Sequence, residues 1–194
     1  MAGNWLIAGL GNPGKVYEDT RHNLGFMLID KLAGRFQTQV KREECRALIG
    51  RAVIGTAAVE LAKPQTFMNL SGESLACLLR KPERRIENLI VISDDLALPT
   101  GRFRIKAKGS HGGQNGLRSI IDCLRTSEFI RLRIGIAPDY PISNTSKFVL
   151  DRFAKDEAAV IAGLLDEAAD AVESIVRDGV ERAMAKFNGE QPQK

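Results

Sequence analysis

Residues 5–14 read WLIAGLGNPG, an apolar run that ends in a loop rich in glycine and proline. The run has the length and composition of a buried strand. Its three glycines match the GxGxxG pattern of dinucleotide-binding folds, but that pattern requires a helix that begins inside it. Here apolar residues at helical spacing begin only after Asn23, which we expect to cap that helix. We therefore predict no nucleotide cofactor, and a sharp loop that projects Asn12 and Tyr17 at the carboxyl edge of a strand.

Strand and helix patterns alternate along the rest of the chain. A second apolar run, residues 89–92, ends in three polar residues, Ser93-Asp94-Asp95. Further strands are predicted within 47–62, 102–108 and 129–136. Helices are predicted within 24–36, from 69 or 71 to 79, 117–124 and 156–187, the last of them broken or kinked at Gly179. This order predicts the α/β class with a mixed sheet. We expect one domain over residues 1–188 and a frayed C-terminal tail at 189–194.

The composition is that of an ordinary globular domain. The chain has 194 residues, of which 44% are hydrophobic and 27% charged, enough for one domain and its core. No apolar stretch approaches the length of about 18 residues that a membrane span needs, and residues 1–5 show no basic start of a signal peptide. We therefore expect a cytoplasmic protein that has no contact with membranes.

Charge is divided unevenly along the chain. Residues 151–194 carry 6 basic and 10 acidic side chains against a total net charge of +4, which leaves +8 on the first 150 residues. A basic body favours a polyanionic partner, most simply a nucleic acid. The alternative at this point is an ordinary solvated surface that is rich in arginine.

Cysteine and histidine usage argues against a metal site. The three cysteines (Cys45, Cys77 and Cys123) are odd in number and far apart in sequence, which argues against a disulfide framework and favours a reducing compartment. Together with only two histidines, His22 and His111, they offer no zinc-ligand spacing. We expect neither a metal nor another cofactor.

His22 and Asp94 are the candidates for acid–base chemistry. His22 lies between the first loop and the first helix, while Asp94 and Asp95 follow the second apolar run, so all three are expected at one edge of the sheet. A carboxylate on one imidazole nitrogen fixes the tautomer and makes the other nitrogen a better base. The alternatives are a capping or packing role for His22, and a turn or a magnesium site for the carboxylates.

Two loops that precede helices carry polar and aromatic side chains. In the stretch KPQTFMNLSG, residues 63–72, Asn69 either caps a helix or presents its amide to a substrate carbonyl. Phe67 either stacks on a base or packs in the core, and the sequence alone favours the core. In the second stretch, KGSHGGQNGL at 108–117, backbone amides can approach a phosphate or a carbonyl. The alternative is a flexible turn with Asn115 as the cap of the following helix.

Basic side chains alternate with apolar ones over residues 102–108. The two-residue period of a strand places the four cations of this stretch on one face, at roughly 7 Å intervals given a rise of about 3.3 Å per residue. Arg131 and Arg133 repeat the pattern further along. This spacing predicts a phosphate-binding surface, with a merely solvated strand face as the alternative.

Six blocks along nearly the whole chain, together with Tyr17, resemble the bacterial peptidyl-tRNA hydrolases. They are LGNPG at 10–14, TRHNLG at 20–25, KPQTFMN at 63–69, DDL at 94–96, GGQNG at 112–116 and RLRIGI at 131–136. The resemblance implies a single α/β domain with a twisted mixed sheet surrounded by helices. It also implies hydrolysis, without a metal, of the ester that joins a peptide to the 3′ ribose of tRNA. The implied partner is therefore tRNA, bound by a monomer.

The resemblance also implies roles for individual residues. His22 resembles the base that activates water, Asp94 the carboxylate that orients it, and Asn12 the residue that reads the peptide backbone. The other site residues resemble either the walls and hydrogen-bonding groups around the ester (Tyr17, Phe67, Asn69 and Asn115) or a phosphate clamp (Lys106 and Arg133).

One position departs from the family pattern. Gln114 stands where many members have histidine, and because glutamine does not titrate, an acid–base role for this position is in doubt. His111, three residues earlier, is a candidate for compensation. Two rival functions remain: a non-catalytic RNA-binding protein, similar to a splicing factor, on the same scaffold, and a nucleotide-dependent enzyme that uses the first glycine loop.

Overall fold

The computed structural model describes residues 4–189 and confirms the α/β class. The strands are β1 (Trp5–Gly9), β2 (Arg42–Glu44), β3 (Ala47–Ile54), β4 (Ala57–Pro64), β5 (Leu89–Pro99), β6 (Phe103–Lys106) and β7 (Ile130–Ala137). The helices are α1 (Leu24–Arg35), α2 (Ser71–Leu78), α3 (Asn115–Leu124), α4 (Thr145–Leu150), α5 (Lys155–Asp178) and α6 (Val180–Phe187). None of these helices is both long and apolar enough to cross a bilayer.

The seven strands form one mixed sheet in the order β2-β3-β4-β1-β5-β7-β6. β1 lies at the centre and pairs in parallel with β4 and β5, and β5 pairs in parallel with β7. The outer strands β2, β3 and β6 run antiparallel to their neighbours. The carboxyl ends of β1, β4 and β5 therefore meet at one edge, where ligand crevices of α/β sheets lie.

Apolar side chains cover both faces of the sheet. Alternate residues of each strand point to opposite faces, so Ile7 joins the core beneath α1, α5 and α6, whereas Leu6 joins a smaller core beneath α2 and α3. The predicted break at Gly179 is confirmed, with α5 ending before it and α6 beginning after it. The predicted tail begins at 189, but residues 190–194 lie outside the described part of the chain, so its boundary stays a prediction.

Glycines bring α1 against the end of β1. A Cβ atom on Gly9 would lie 2.1 Å from the carbonyl oxygen of Gly25, and one on Gly11 would lie 2.7 Å from the ring of Phe26. The glycines of the first loop therefore permit close backbone packing, and no helix begins within the GxGxxG pattern. This contact places the residues just before α1 beside the carboxyl end of β1.

Several boundaries differ from the predicted ones. β5 does not stop at residue 92 but continues through both aspartates to Pro99, because β7 pairs with it as far as Asp95 and again, after a shift in register, at Pro99. β6 is shorter than its alternating pattern, since its pairing with β7 ends at Lys106. The short helix α4 carries too few residues to show a helical period, and the sequence did not indicate it.

The sequence analysis argued against a disulfide framework and did not predict the disulfide that the structure contains. Cys45, in the turn between β2 and β3, forms a disulfide with Cys77 on α2, whereas Cys123 is free. The two partners are 32 residues apart in sequence, and only the packing of α2 over the sheet brings them together.

Candidate active site

A buried imidazole–carboxylate pair lies at the carboxyl edge of the sheet. His22 sits in a short 3-10 turn just before α1, and its Nδ1 lies 2.9 Å from Oδ2 of Asp94 in β5. Both residues are buried. Because a carboxylate only accepts hydrogen bonds, Nδ1 carries the proton and donates it, which leaves the lone pair on Nε2. The structure therefore brings together the two residues that the sequence analysis paired, 72 positions apart.

The second oxygen of Asp94 is also occupied. Nε2 of Gln114 donates to Asp94 Oδ1 at 3.0 Å, and Oε1 of the same amide accepts from the backbone N–H of Leu117 at 2.8 Å. Gln114, and not Asn115, is thus the cap of α3. The sequence analysis named the wrong cap because glutamine is a rare residue at this position compared with asparagine.

Asn12 is held by the two segments that flank the crevice. Asn23 does not cap α1 as predicted; its amide instead accepts from the backbone N–H of Asn12 at 2.8 Å and donates to the Asn12 carbonyl at 2.9 Å. Oδ1 of Asn12 accepts from the backbone N–H of Met68 at 2.8 Å. Within residues 4–189, Nδ2 of Asn12 has no hydrogen-bond partner and is left as a donor.

The loops that carry Asn69 and Asn115 converge on the same place. A Cβ atom on Gly116 would lie 2.6 Å from Sδ of Met68 and 2.8 Å from Leu10, so the start of α3 packs directly on the loops after β4 and β1. Asn69 and Asn115, each adjacent to one of these contact residues, are both exposed. Asn69 does not cap α2, which begins after Leu70.

The aromatic residues of the site differ from expectation. Phe67 is 53% exposed, so the interpretation of its side chain as part of the core is wrong. Its neighbour Met68 fills the core instead, because the 3-10 turn that begins there points Met68 inward. Tyr17 is half-buried in another 3-10 turn, and its side chain makes no hydrogen bond to any residue between 4 and 189.

The cations of β6 and β7 are not equivalent. Arg104 and Lys106 are exposed on β6. Nε of Arg133 instead lies 2.9 Å from Oδ2 of Asp95, and both side chains are largely buried. Arg131 is fully buried with its guanidinium 4.3 Å from the ring of Phe129, and burial, helped by the charge of Arg133, lowers its pKa to about 10.

Arg21 is a buried residue beside the site whose structural role the sequence analysis missed. It is buried, donates from Nη1 to the carbonyls of Asp151 and Arg152, and pairs through Nη2 with Glu157 at 2.6 Å. Its guanidinium also lies over the ring of Phe148 at 4.2 Å. Arg21 thereby ties the His22 turn to the C-terminal part of the chain. A lone arginine beside a histidine carries no sequence signal for such a role.

Two cavities adjoin these residues. One of about 340 Å³ opens beside Asn12 and is lined by Asp30 and Lys63 among others. The other, about 810 Å³, lies beside Arg21 and is lined by Tyr140 and Phe153. A mixed α/β sheet with a polar crevice at the carboxyl ends of its parallel strands is typical of enzymes.

Comparison with known proteins defines the family. The family model described as peptidyl-tRNA hydrolase matches residues 6–194. A peptidyl-tRNA hydrolase of Solibacter usitatus is 49% identical over 188 residues, covering 97% of this chain and 96% of that protein. One from Koribacter versatilis is 47% identical, covering 94% and 92%. The crystal structure of the Acinetobacter baumannii peptidyl-tRNA hydrolase superposes with a TM-score of 0.91 at 34% identity, covering 100% and 98%.

The chain belongs to the peptidyl-tRNA hydrolase family. The family resemblance derived from the sequence blocks is thereby confirmed, and so is the predicted class of fold.

Proposed function

We propose that this protein hydrolyses the ester between a peptide and the 3′ ribose of tRNA, with water as the nucleophile. The observation that carries the proposal is the buried His22–Asp94 pair, at 2.9 Å, in a chain of the peptidyl-tRNA hydrolase family. The pair leaves Nε2 of His22 as a base directed by a carboxylate, which is the arrangement that general base catalysis requires.

The reaction proceeds by addition and elimination at the ester carbonyl. Nε2 of His22 takes a proton from water as the water oxygen bonds to the carbonyl carbon. Asp94 stabilises the imidazolium that forms, because its carboxylate accepts from Nδ1. The imidazolium then gives its proton to the 3′ oxygen of the ribose as the C–O bond breaks. The products are tRNA and a peptide with a free carboxyl group, which loses its remaining proton to the solvent.

Three amides surround this reaction. We assign Asn12 to the peptide backbone, because Nδ2 remains a donor while its other polar groups are fixed by Asn23 and Met68. The exposed side chains of Asn69 and Asn115 are assigned to the reacting carbonyl and the water. The cavity beside Asn12 has space for residues of the peptide.

The remaining predicted site residues are assigned to the tRNA end and the walls of the crevice. Tyr17 and the exposed ring of Phe67 border the ester. Lys106 is exposed and suited to a phosphate. Arg133 is also assigned to the phosphate clamp, and its guanidinium is paired with Asp95 as well. We also propose that the protein acts in the cytoplasm as a monomer without a cofactor, and that its partner is tRNA.

The test is release of peptide from purified peptidyl-tRNA by wild type and by the His22→Ala variant, with and without a chelator. Wild type is expected to release peptide equally in both conditions. The variant is expected to lose at least about a hundredfold in turnover. Unchanged turnover in the variant would remove His22 from the reaction. Binding of the RNA without release by wild type would favour the splicing-factor-like alternative, and loss with chelator alone would indicate a metal.

A further inference from the structure

Gln114 is a buried amide whose orientation is set by its neighbours. The residue is 8% exposed and caps α3. The N–H of Leu117 can only donate, so it requires the amide oxygen Oε1, at 2.8 Å. The nitrogen Nε2 must then point the other way, toward Asp94 Oδ1 at 3.0 Å and Met68 Sδ at 3.2 Å. Capping the helix thus fixes which end of the amide meets the carboxylate.

This contact completes the hydrogen bonding of Asp94. Oδ2 accepts from His22 and Oδ1 from Gln114, so a donor holds each side of the carboxylate. Rotation of the carboxylate about its own axis would break at least one of these bonds. The plane of Asp94 therefore follows from the position of α3, and the plane of the imidazole follows from Asp94.

Gln114 is neutral, and the charged groups near its contact with Asp94 are paired with other partners. His22 and Asp94 form the pair itself, and Asp95 is neutralised by Arg133 at 2.9 Å. His111, in the loop before α3, accepts from the backbone N–H of Gly113 through Nδ1, so among the hydrogen bonds of the described residues none joins it to Asp94. It therefore does not replace a histidine at position 114.

We propose that Gln114 is a positioning residue for Asp94. Its amide holds the carboxylate in the orientation in which it accepts from Nδ1 of His22, so that the proton of His22 stays on Nδ1 and the lone pair stays on Nε2. An amide does this at every working pH, because it has no proton to lose. The expected change in kcat rests on the proposed function. The expected tautomer of His22 does not, because it depends only on the contacts of Asp94 with Gln114 and His22.

Two substitutions separate this role from helix capping. Gln114→Ser keeps an oxygen that can cap α3 but cannot reach Asp94. Gln114→Glu keeps both the length and the capping oxygen, yet it replaces the donor by a second carboxylate. Melting temperature checks that α3 stays folded in both variants, and His111→Gln assigns the two histidines in the imidazole nitrogen NMR spectrum.

For Gln114→Ser we expect kcat to fall about tenfold while KM changes less than about twofold, since reacting groups are misplaced but binding groups are not. Its His22 spectrum should gain a fraction of the Nε2–H tautomer, with the melting temperature unchanged. For Gln114→Glu we expect a larger fall at neutral pH. This loss should shrink as pH falls, because one of the two adjacent carboxyl groups then takes up a proton and donates to the other as the amide did.

Unchanged kcat and an unchanged His22 spectrum in Gln114→Ser would overturn the proposal. A matched rise of KM and loss of melting temperature would do the same, since these indicate a cap only. If wild type releases no peptide at all, the proposed function fails, while the NMR comparison still decides the role of Gln114.

Discussion

Two buried polar networks lie on this sheet, and they use their charges differently. In the first network, the guanidinium of Arg84 pairs with Glu44 of β2 and Glu60 of β4, each at 2.6 Å. Every charge there meets an opposite charge, and hydrogen bonds from Arg84 lower the pKa of Glu44. Around His22, no hydrogen bond from residues 4–189 reaches Nε2, so the network ends instead in an unpaired imidazole nitrogen. A fully neutralised network stabilises the fold, whereas one with an unused basic atom can do chemistry.

A contrast of the same kind separates the two buried arginines. Burial opposes the charge of Arg84, but the hydrogen bonds that it donates to Glu44 and Glu60 outweigh burial and raise its pKa. Arg131 has no carboxylate partner among the described ion pairs, and burial lowers its pKa. The surroundings of each guanidinium therefore decide whether removing it costs stability.

The largest expected effect is on catalysis, in Asp94→Asn. The amide offers one oxygen to two donors, His22 Nδ1 and Gln114 Nε2, so one of them loses its acceptor. We expect kcat to fall about 10³- to 10⁴-fold through the wrong tautomer of His22. Peptide release measures this, with the exposed Asp122→Asn on α3 as the matched control. A fall of less than tenfold would mean that the carboxylate does not orient the base.

Arg84→Met tests the neutralised network. Removing the guanidinium leaves Glu44 and Glu60 without their buried partner, which costs about 3 kcal/mol in the free energy of unfolding. Denaturant unfolding measures the change, and kcat per folded molecule should stay at the wild-type value. Loss of kcat with unchanged stability would reverse the distinction between the two networks.

Lowering the pH should reduce the difference in the free energy of unfolding between wild type and Arg84→Met. Burial raises the pKa of Glu60, but Arg84 together with Arg51 and Arg42 outweighs this effect, so the folded-state pKa of both carboxylates lies below the unfolded value. Their contribution is therefore complete above an unfolded pKa of about 4.3 and is lost as pH falls through the folded values. The free energies of unfolding of the two proteins, measured with denaturant between pH 7 and 2, should approach each other below about pH 4.3. A constant difference in the free energy of unfolding across this pH range would contradict the pairing of Arg84 with the two carboxylates.

Arg131→Met is expected to have the smallest effect. Its guanidinium is buried without a carboxylate, so a thioether of similar length should change the free energy of unfolding by less than about 1 kcal/mol in either direction. A destabilisation as large as that of Arg84→Met would show that the stacking on Phe129 and the bond to the Ser127 carbonyl outweigh the cost of burial.

Much of the architecture was predictable because it depends on local patterns. The apolar run of β1, the break at Gly179 and the alternation of β7 each lie within about ten residues of sequence, and each was predicted. The candidate site was less predictable. Caps were assigned to Asn23 and Asn115, yet Asn23 instead holds Asn12, and Gln114 is the cap, because contacts across the chain outweigh local preference.

The sequence by itself determined the class of fold, the family and the identity of the imidazole and the carboxylate, because periodicity and motifs are properties of neighbouring residues. Only the tertiary structure decided how those groups are used. The orientation of Asp94 by Gln114, the pairing of Arg133 with Asp95 and the disulfide of Cys45 with Cys77 each join residues that are distant in sequence. Their proximity follows from the packing of helices on the sheet, which no local pattern specifies.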